Sequence, residues 1–269
     1  MTQSERFLDV KDLKVDYMTL DGPFRAVKGV DLHINRGEVL GLAGESGCGK
    51  STIAYALMRL HRPPAFIAGG DITVDGEDVL AFDEETLAQW RWSKVSLVFQ
   101  SAMNALNPVL TIFEQFRDVY HRHTGKSTEE ARARAVELME LVGIDPVRLD
   151  DYPHQLSGGM RQRVVLANAL ILEPQMIIMD EPTTALDVVV QREILQEIAG
   201  LQKKFGFSIL FITHDLALMS QFADRIAIML KGEIVEVNSA HEILHNPQHD
   251  YTKQLWDAMP SFEDAEGVA

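Results

Sequence analysis

The sequence predicts an α/β protein built on a mostly parallel sheet, with helices on both faces. Three observations predict it. Short apolar runs occur at 38–43, 94–99, 176–179, 208–212 and 225–230. Helical patterns at 50–60, 128–142, 159–172, 188–204 and 216–222 lie between them. A glycine-rich loop joins the first of these runs to the first of these helices. Strand and helix in regular alternation require crossover connections and hence parallel pairing.

Taken in order, residues 7–15 alternate loosely, as an edge strand does, and 27–34 read as a second strand. Asp21-Gly22-Pro23 marks the turn between them. These two strands predict an antiparallel β subdomain at the N-terminus. Residues 38–43 form an apolar strand entering the glycine loop, and Ile53, Leu57 and Leu60 share one face of the helix after it. His61-Arg62-Pro63-Pro64 stops that helix. Ile72–Val74, Asp75-Gly76 and Val79-Leu80 read as strand, turn and strand. From 108 to 152 the pattern becomes helical, most clearly where Ala135, Leu138, Met139 and Val142 recur at three or four residues. The predicted organisation is one domain over 1–269. Its core is 1–100 and 157–240, its helical subdomain 101–156, and its tail 241–269, polar and frayed from 257 on.

Composition narrows the function. The chain carries 40 acidic against 25 basic residues, a formal net charge of -15, which disfavours binding a nucleic-acid backbone. A single cysteine, Cys48, rules out an intrachain disulfide and fits a reducing cytosol. Residues 1–6 are polar, without the apolar core of a secretory signal, and no apolar run is long enough to span a bilayer. Membrane association is therefore expected through a partner or the surface.

Gly44-Glu45-Ser46-Gly47-Cys48-Gly49-Lys50-Ser51 fits the pattern G-x-x-x-x-G-K-[ST] at every position, between a strand and a helix. Its glycines let backbone N–H groups approach phosphate oxygens, and the helix N-terminus adds a favourable dipole. Lys50 is expected to neutralise the β- and γ-phosphates of ATP, and the Ser51 hydroxyl to hold Mg²⁺; Thr52 completes the binding segment. Cys48 admits two readings. A thiol at a helix N-terminus can be a redox switch; it can also be a small side chain at a variable loop position, which is favoured because no second cysteine could resolve it.

The run 176–179 delivers Asp180-Glu181 to the carboxyl edge of a central strand, where ligands of open α/β sheets bind. Asp180 is expected to hold Mg²⁺, and Glu181 to act as general base on the attacking water. Residues 211–213 end in His214 at the same edge, suited to sensing or positioning a γ-phosphate; 94–99 likewise end in Gln100, which can reach Mg²⁺ or water. Ser157-Gly158-Gly159 opens a helix with an N-cap serine and exposed N–H groups, a second anion site. Two such sites on one chain are explained most simply by two subunits packed head to tail, each completing the other's site.

With these residues the chain resembles an ATP-binding cassette (ABC) ATPase over nearly its whole length. In family order it has the phosphate loop, Gln100 as Q-loop, the signature Ser157-Gly158-Gly159, the Asp180-Glu181 box, the D-loop Ala185-Leu186-Asp187 and the switch His214. The resemblance implies the P-loop NTPase fold of ABC ATPases, with an α-helical signature subdomain. It also implies ATP sandwiched between the phosphate loop of one subunit and the signature of the other. Tyr17 stands at the place of the aromatic A-loop residue that stacks on adenine.

The chain is further similar to the oligopeptide, dipeptide and nickel importer subfamily. The marks are residues 101–108, Glu181-Pro182-Thr183-Thr184-Ala185-Leu186-Asp187, Met160-Arg161-Gln162-Arg163, and Asn246-Pro247-Gln248-His249-Asp250-Tyr251-Thr252, where Asp250 replaces the usual proline. That resemblance implies permease subunits in the membrane as partners and a second ABC ATPase subunit, commonly a different chain. It implies an extracellular solute-binding protein as an indirect partner and a position on the cytoplasmic face of the membrane. Many members carry a cysteine-bearing C-terminal extension; this sequence has no such cysteines, so an iron–sulfur site is not expected. Cargo stays open among peptides, oligosaccharides, nickel and other solutes. Two alternatives share the site chemistry: a soluble repair or translation ATPase, and a regulatory module that binds nucleotide without much hydrolysis. The first would usually bring a long coiled coil or a second cassette; the second is disfavoured by the intact Glu181 and His214.

Overall fold

The computed structural model describes residues 6–99, 105–183 and 187–257. Residues 1–5, Gln100, residues 101–104, Thr184 with the D-loop pair Ala185 and Leu186, and the tail from 258 on lie outside the described residues. Two sheets organise the rest. One is antiparallel, in the order β2-β1-β4-β5: β1 (Arg6–Thr19), β2 (Gly22–Asn35), β4 (Ala65–Val74) and β5 (Glu77–Asp78). The other runs β10-β9-β3-β8-β7-β6: β3 (Val39–Ala43), β6 (Val95–Val98), β7 (Met176–Asp180), β8 (Ser208–Ile212), β9 (Arg225–Leu230) and β10 (Glu233–Ser239). Neighbours from β9 through β6 are parallel, and β10 closes the edge antiparallel to β9.

The central strands are largely apolar because both faces are covered. Strand period then sorts their side chains between two cores. Val39, Ile177, Met179, Ile209 and Phe211 face one core, shared with Phe116, Leu138, Val164 and Ile194 of the helical side. Leu40, Leu42, Met176, Ile178, Leu210 and Ile212 face the other, shared with the antiparallel sheet and Ile53.

The helical arm is α3 (Ile112–Thr124), α4 (Thr128–Leu141) and α5 (Gly158–Ala169). Capping boxes fix two starts: Thr111 with Glu114 opens α3, and Ser127 with Glu130 opens α4. After β7 comes α6 (Val188–Phe205), capped by Asp187. The chain then runs through α7 (Leu216–Ser220), α8 (Ala240–His245) and α9 (Asp250–Asp257). No helix among the described residues is long and apolar enough to cross a membrane.

Three local expectations change. The helix after the phosphate loop, α1 (Lys50–Leu57), ends a turn before 60. Arg59 adopts φ 48°, and the guanidinium of Arg91 donates to the carbonyls of Met58 and Arg59, capping the end from a distant segment. Val79-Leu80 is not a strand: Asp78 Oδ1 accepts from Leu80 N, and 79–81 form a 3₁₀ turn with Val79 buried. A further helix, α2 (Glu84–Ser93), follows, broken at Arg91 and Trp92 and burying only Leu87 and Trp90. The region from 241, expected as tail, carries the helices α8 (Ala240–His245, which starts on the last core residue) and α9 (Asp250–Asp257).

Candidate functional site: a phosphate loop at the carboxyl edge of the sheet

β3 ends at Ala43 and the loop begins at once. Gly44 has φ +150°, and a Cβ there would stand 2.2 Å from Met229 O, so no other residue fits. Gly49 has φ +115°, with a Cβ position 3.0 Å from Ala26 O. Strand β9 and the β2 hairpin thus wrap the loop closely, which is why glycine is needed at these positions.

Lys50 is buried at the first position of α1. Its Nζ donates to Gly44 O at 2.7 Å and Glu45 O at 2.8 Å, so the ammonium sits over the loop. Cys48 Sγ lies 3.8 Å from the same Nζ, yet burial pushes the thiol pKa up and outweighs the lysine charge. A buried thiol with a raised pKa is a poor nucleophile, which supports the reading of Cys48 as a small loop side chain.

Ser51 Oγ donates to Asp180 Oδ1 at 3.0 Å, joining the start of α1 to the end of β7. Asp180 is fully buried, its other carboxylate oxygen has no hydrogen-bond partner among the described residues, and burial raises its pKa. A desolvated carboxylate beside a hydroxyl calls for a cation. Mg²⁺ fits this donor set, because it takes one or two protein oxygens and leaves its other positions to water and substrate phosphates. No cluster of three or more His, Cys, Asp or Glu groups forms a metal site by itself among the described residues.

Glu181 follows in the left-handed region, φ 46°, with its N–H donating to Ile212 O at 2.9 Å. That conformation costs a non-glycine residue about 1–2 kcal/mol, and it turns the side chain back along the sheet edge. There Glu181 Oε1 meets His214 Nδ1 at 3.4 Å, so β7 and β8 bring the carboxylate and the histidine together. Tyr17 on β1 shares a 3.3 Å hydrogen bond with Thr52 Oγ1 of α1. Tyr17, Ser46, Gly47, Gly49, Lys50, Ser51, Thr52 and Glu181 line one cleft of about 470 Å³.

Ser157 caps α5, its Oγ accepting from Met160 N at 3.3 Å, and Gly158 and Gly159 form the first turn. None of the three lines the cleft of the phosphate loop. The signature segment expected to bind a phosphate thus lies apart from the cleft of the phosphate loop on the same subunit.

Sequence reasoning missed two side chains. Phe24 lines the cleft opposite Tyr17 across the β1–β2 hairpin, 62% exposed; the strand register carries that signal. Tyr251 accepts from Glu45 N of the phosphate loop at 3.1 Å across 206 residues of chain, which no local pattern reveals.

Residues 27–184 match the family described as ABC transporter. Oligopeptide transport ATP-binding protein OppD of Bacillus subtilis (strain 168) is 43% identical over 268 residues, 98% of this chain and 75% of that protein. The chain belongs to the ABC transporter family. Dipeptide transport ATP-binding protein DppD of Lactococcus lactis subsp. cremoris (strain MG1363) is 42% identical over 264 residues, 97% of this chain and 76% of that protein. The dimeric post-hydrolysis structure of the ATP-binding cassette MJ0796, bound to ADP and Pi, superimposes with a TM-score of 0.77 at 30% identity. It covers 87% of this chain and 98% of that one. The fold is the ABC ATPase fold expected from the motifs, and the chain is an ATP-binding ATPase of that family.

Proposed function

We propose that this chain drives a peptide importer from the cytoplasmic face of the membrane, hydrolysing ATP held between two cassette subunits. The observation that carries the reading is the meeting of Lys50, Ser51–Asp180 and Glu181–His214 at one sheet edge, with Ser157 outside that cleft.

In the proposed site Tyr17 stacks on adenine, and the N–H groups of 44–52 cradle the phosphates. Lys50 leaves its carbonyl partners to neutralise the β- and γ-phosphates. Ser51, Asp180 and Gln100 would hold Mg²⁺, which would offset charge on the transferred phosphoryl group. Glu181 takes the proton of the attacking water. His214, held against Glu181, positions water and γ-phosphate, while the partner's signature segment closes over the same phosphate from outside. Closing and reopening of the pair does the mechanical work on the permease, to which the segment at 100–108 is assigned.

The partners proposed are the permease subunits, a second and different cassette subunit and, indirectly, an extracellular solute-binding protein. Nucleic acid is not among them, in keeping with the charge of -15. The peptide cargo is supported by the names of OppD and DppD. The test is reconstitution with permease, second cassette and binding protein in vesicles. ATP turnover should rise when peptide-loaded binding protein is added, and labelled peptide should accumulate. Turnover indifferent to permease and peptide would refute the reading.

A further inference from the structure

The segment Asn246–Thr252 marks the subfamily in sequence, and the ATPase chemistry above gives it no task. Its structure suggests one. Gly44 and Glu45 share a peptide unit whose two polar ends are both held. Its carbonyl, Gly44 O, accepts from Lys50 Nζ at 2.7 Å, and its N–H, Glu45 N, donates to the Tyr251 hydroxyl at 3.1 Å. In a trans peptide these groups point in opposite directions, so the two partners grip the plane from opposite sides. Gly44 stands at φ +150° without a Cβ, so the backbone resists rotation of this plane weakly. When Lys50 turns to a triphosphate it releases Gly44 O, and Tyr251 is left as the side-chain restraint on the plane.

Tyr251 is itself fixed. It is 8% exposed, in the first turn of α9. Its N–H donates to His249 Nδ1 at 3.1 Å. The N–H groups of Gln248 and His249 donate to the two carboxylate oxygens of Glu236 on β10, at 2.8 and 3.0 Å. β10 pairs with β9, and β9 with β3, the strand that leads into the loop. The segment is a strap anchored to the sheet at one end and to the phosphate loop at the other.

We infer that Tyr251 is a positioning residue for the phosphate loop: its hydroxyl locks the Gly44–Glu45 peptide so that the loop amides and Lys50 meet ATP in register. The inference rests on the reading of 44–51 as the ATP site. It gives the C-terminal strap a direct hold on nucleotide affinity.

The test is Tyr251→Phe in the full chain, which keeps the ring and removes the hydroxyl. Binding of a fluorescent ATP analogue is titrated, and ATP turnover is measured with the partner subunits present. One hydrogen bond lost at the loop should raise Kd and KM about 3- to 10-fold, while kcat at saturating ATP falls less than about 2-fold. Glu236→Gln, which loosens the strap one step further away, should move KM in the same direction by a smaller factor. A Kd for Tyr251→Phe equal to wild type would overturn the inference. So would fewer binding sites at unchanged Kd, with kcat reduced and KM unmoved, because that pattern reports misfolding alone. Wild-type protein that failed to bind the analogue would instead remove the ATP-site reading, and the inference with it.

Discussion

Glu181→Gln isolates the chemical step from everything else at the site. Glutamine has the shape of glutamate, and a side chain only 14% exposed leaves no room for a larger change. The backbone stays where Glu181 N–H bonds Ile212 O, and the amide oxygen can still meet His214 Nδ1. Lys50, Ser51, Asp180 and Tyr17 are untouched, so ATP should bind within about 2-fold of wild type. What disappears is a carboxylate able to take a proton. General-base assistance contributes about 10²–10⁴ in rate, so at 1.36 kcal/mol per decade the barrier should rise by about 2.7–5.4 kcal/mol. Phosphate release at saturating Mg·ATP, with the partner subunits present, measures the loss, and titration with a fluorescent nucleotide measures binding. Turnover within 10-fold of wild type would remove Glu181 from the role of base. A parallel loss of nucleotide binding would mean that the glutamate shapes the cleft rather than serving the reaction.

Three other outcomes are expected. Asp180→Asn removes the charge proposed to answer Mg²⁺ but keeps the Ser51 contact; the Mg²⁺ concentration for half-maximal turnover should rise at least about 10-fold, checked by Mg²⁺ titration at fixed ATP. Cys48 should react slowly with maleimides in the folded protein, since burial raises its thiol pKa, and Cys48→Ala should keep turnover within about 3-fold; rapid labelling at neutral pH would contradict this. Arg163→Ala strips the partner from Glu197, whose Oε1 it meets at 2.8 Å with the pair 24% and 15% exposed. The cost should be about 3 kcal/mol by urea unfolding. Burial already holds the Glu197 pKa above its ordinary value, and Arg163 pulls it down. Without Arg163 the folded state binds that proton more tightly still. Between the ordinary carboxylate value and the raised one it holds more protons than the unfolded chain, and stability rises as pH falls. The Arg163→Ala deficit should therefore be smaller at pH 5 than at pH 8.

The legible parts of this fold are those whose determinants lie close together in the chain. The phosphate loop, its strand and its helix span 39–57, and the strand 176–180 announces its carboxylates by running apolar up to them. His214 and Ser157 stand out because each follows an element boundary visible within a few residues. What could not be read depends on distant partners. The early end of α1 is imposed by Arg91, 32 residues from the nearer carbonyl it caps. Val79-Leu80 looks like a strand in isolation, but Asp78 turns the chain at that point. α2 buries only Leu87 and Trp90, too thin a stripe to carry a helical period. The hold of Tyr251 on Glu45 exists only once β10 and α9 have folded against the sheet.

The two phosphate-binding segments proposed for this chain need a physical link if ATP consumption at one is to be felt at the other, and a contiguous run of contacts joins them. β7 ends at Asp180; Thr183, three residues on, accepts through its carbonyl from Gln191 Nε2 at 2.8 Å in α6. Six residues along the same helix, Glu197 receives Arg163 Nη1 of α5, which also reaches the Val142 carbonyl at the end of α4. Ser157 caps the start of α5. After the short turn from Asp180 to Thr183 each step is a hydrogen bond or a helix, so a shift at the carboxylate box has a path of few soft joints to Ser157, the residue proposed to meet the partner. Arg163 is the joint between core and helical arm. If the link operates, Arg163→Ala in one subunit should slow hydrolysis at the site its own signature completes on the partner more than at its own phosphate loop. A simple loss of stability would slow both alike.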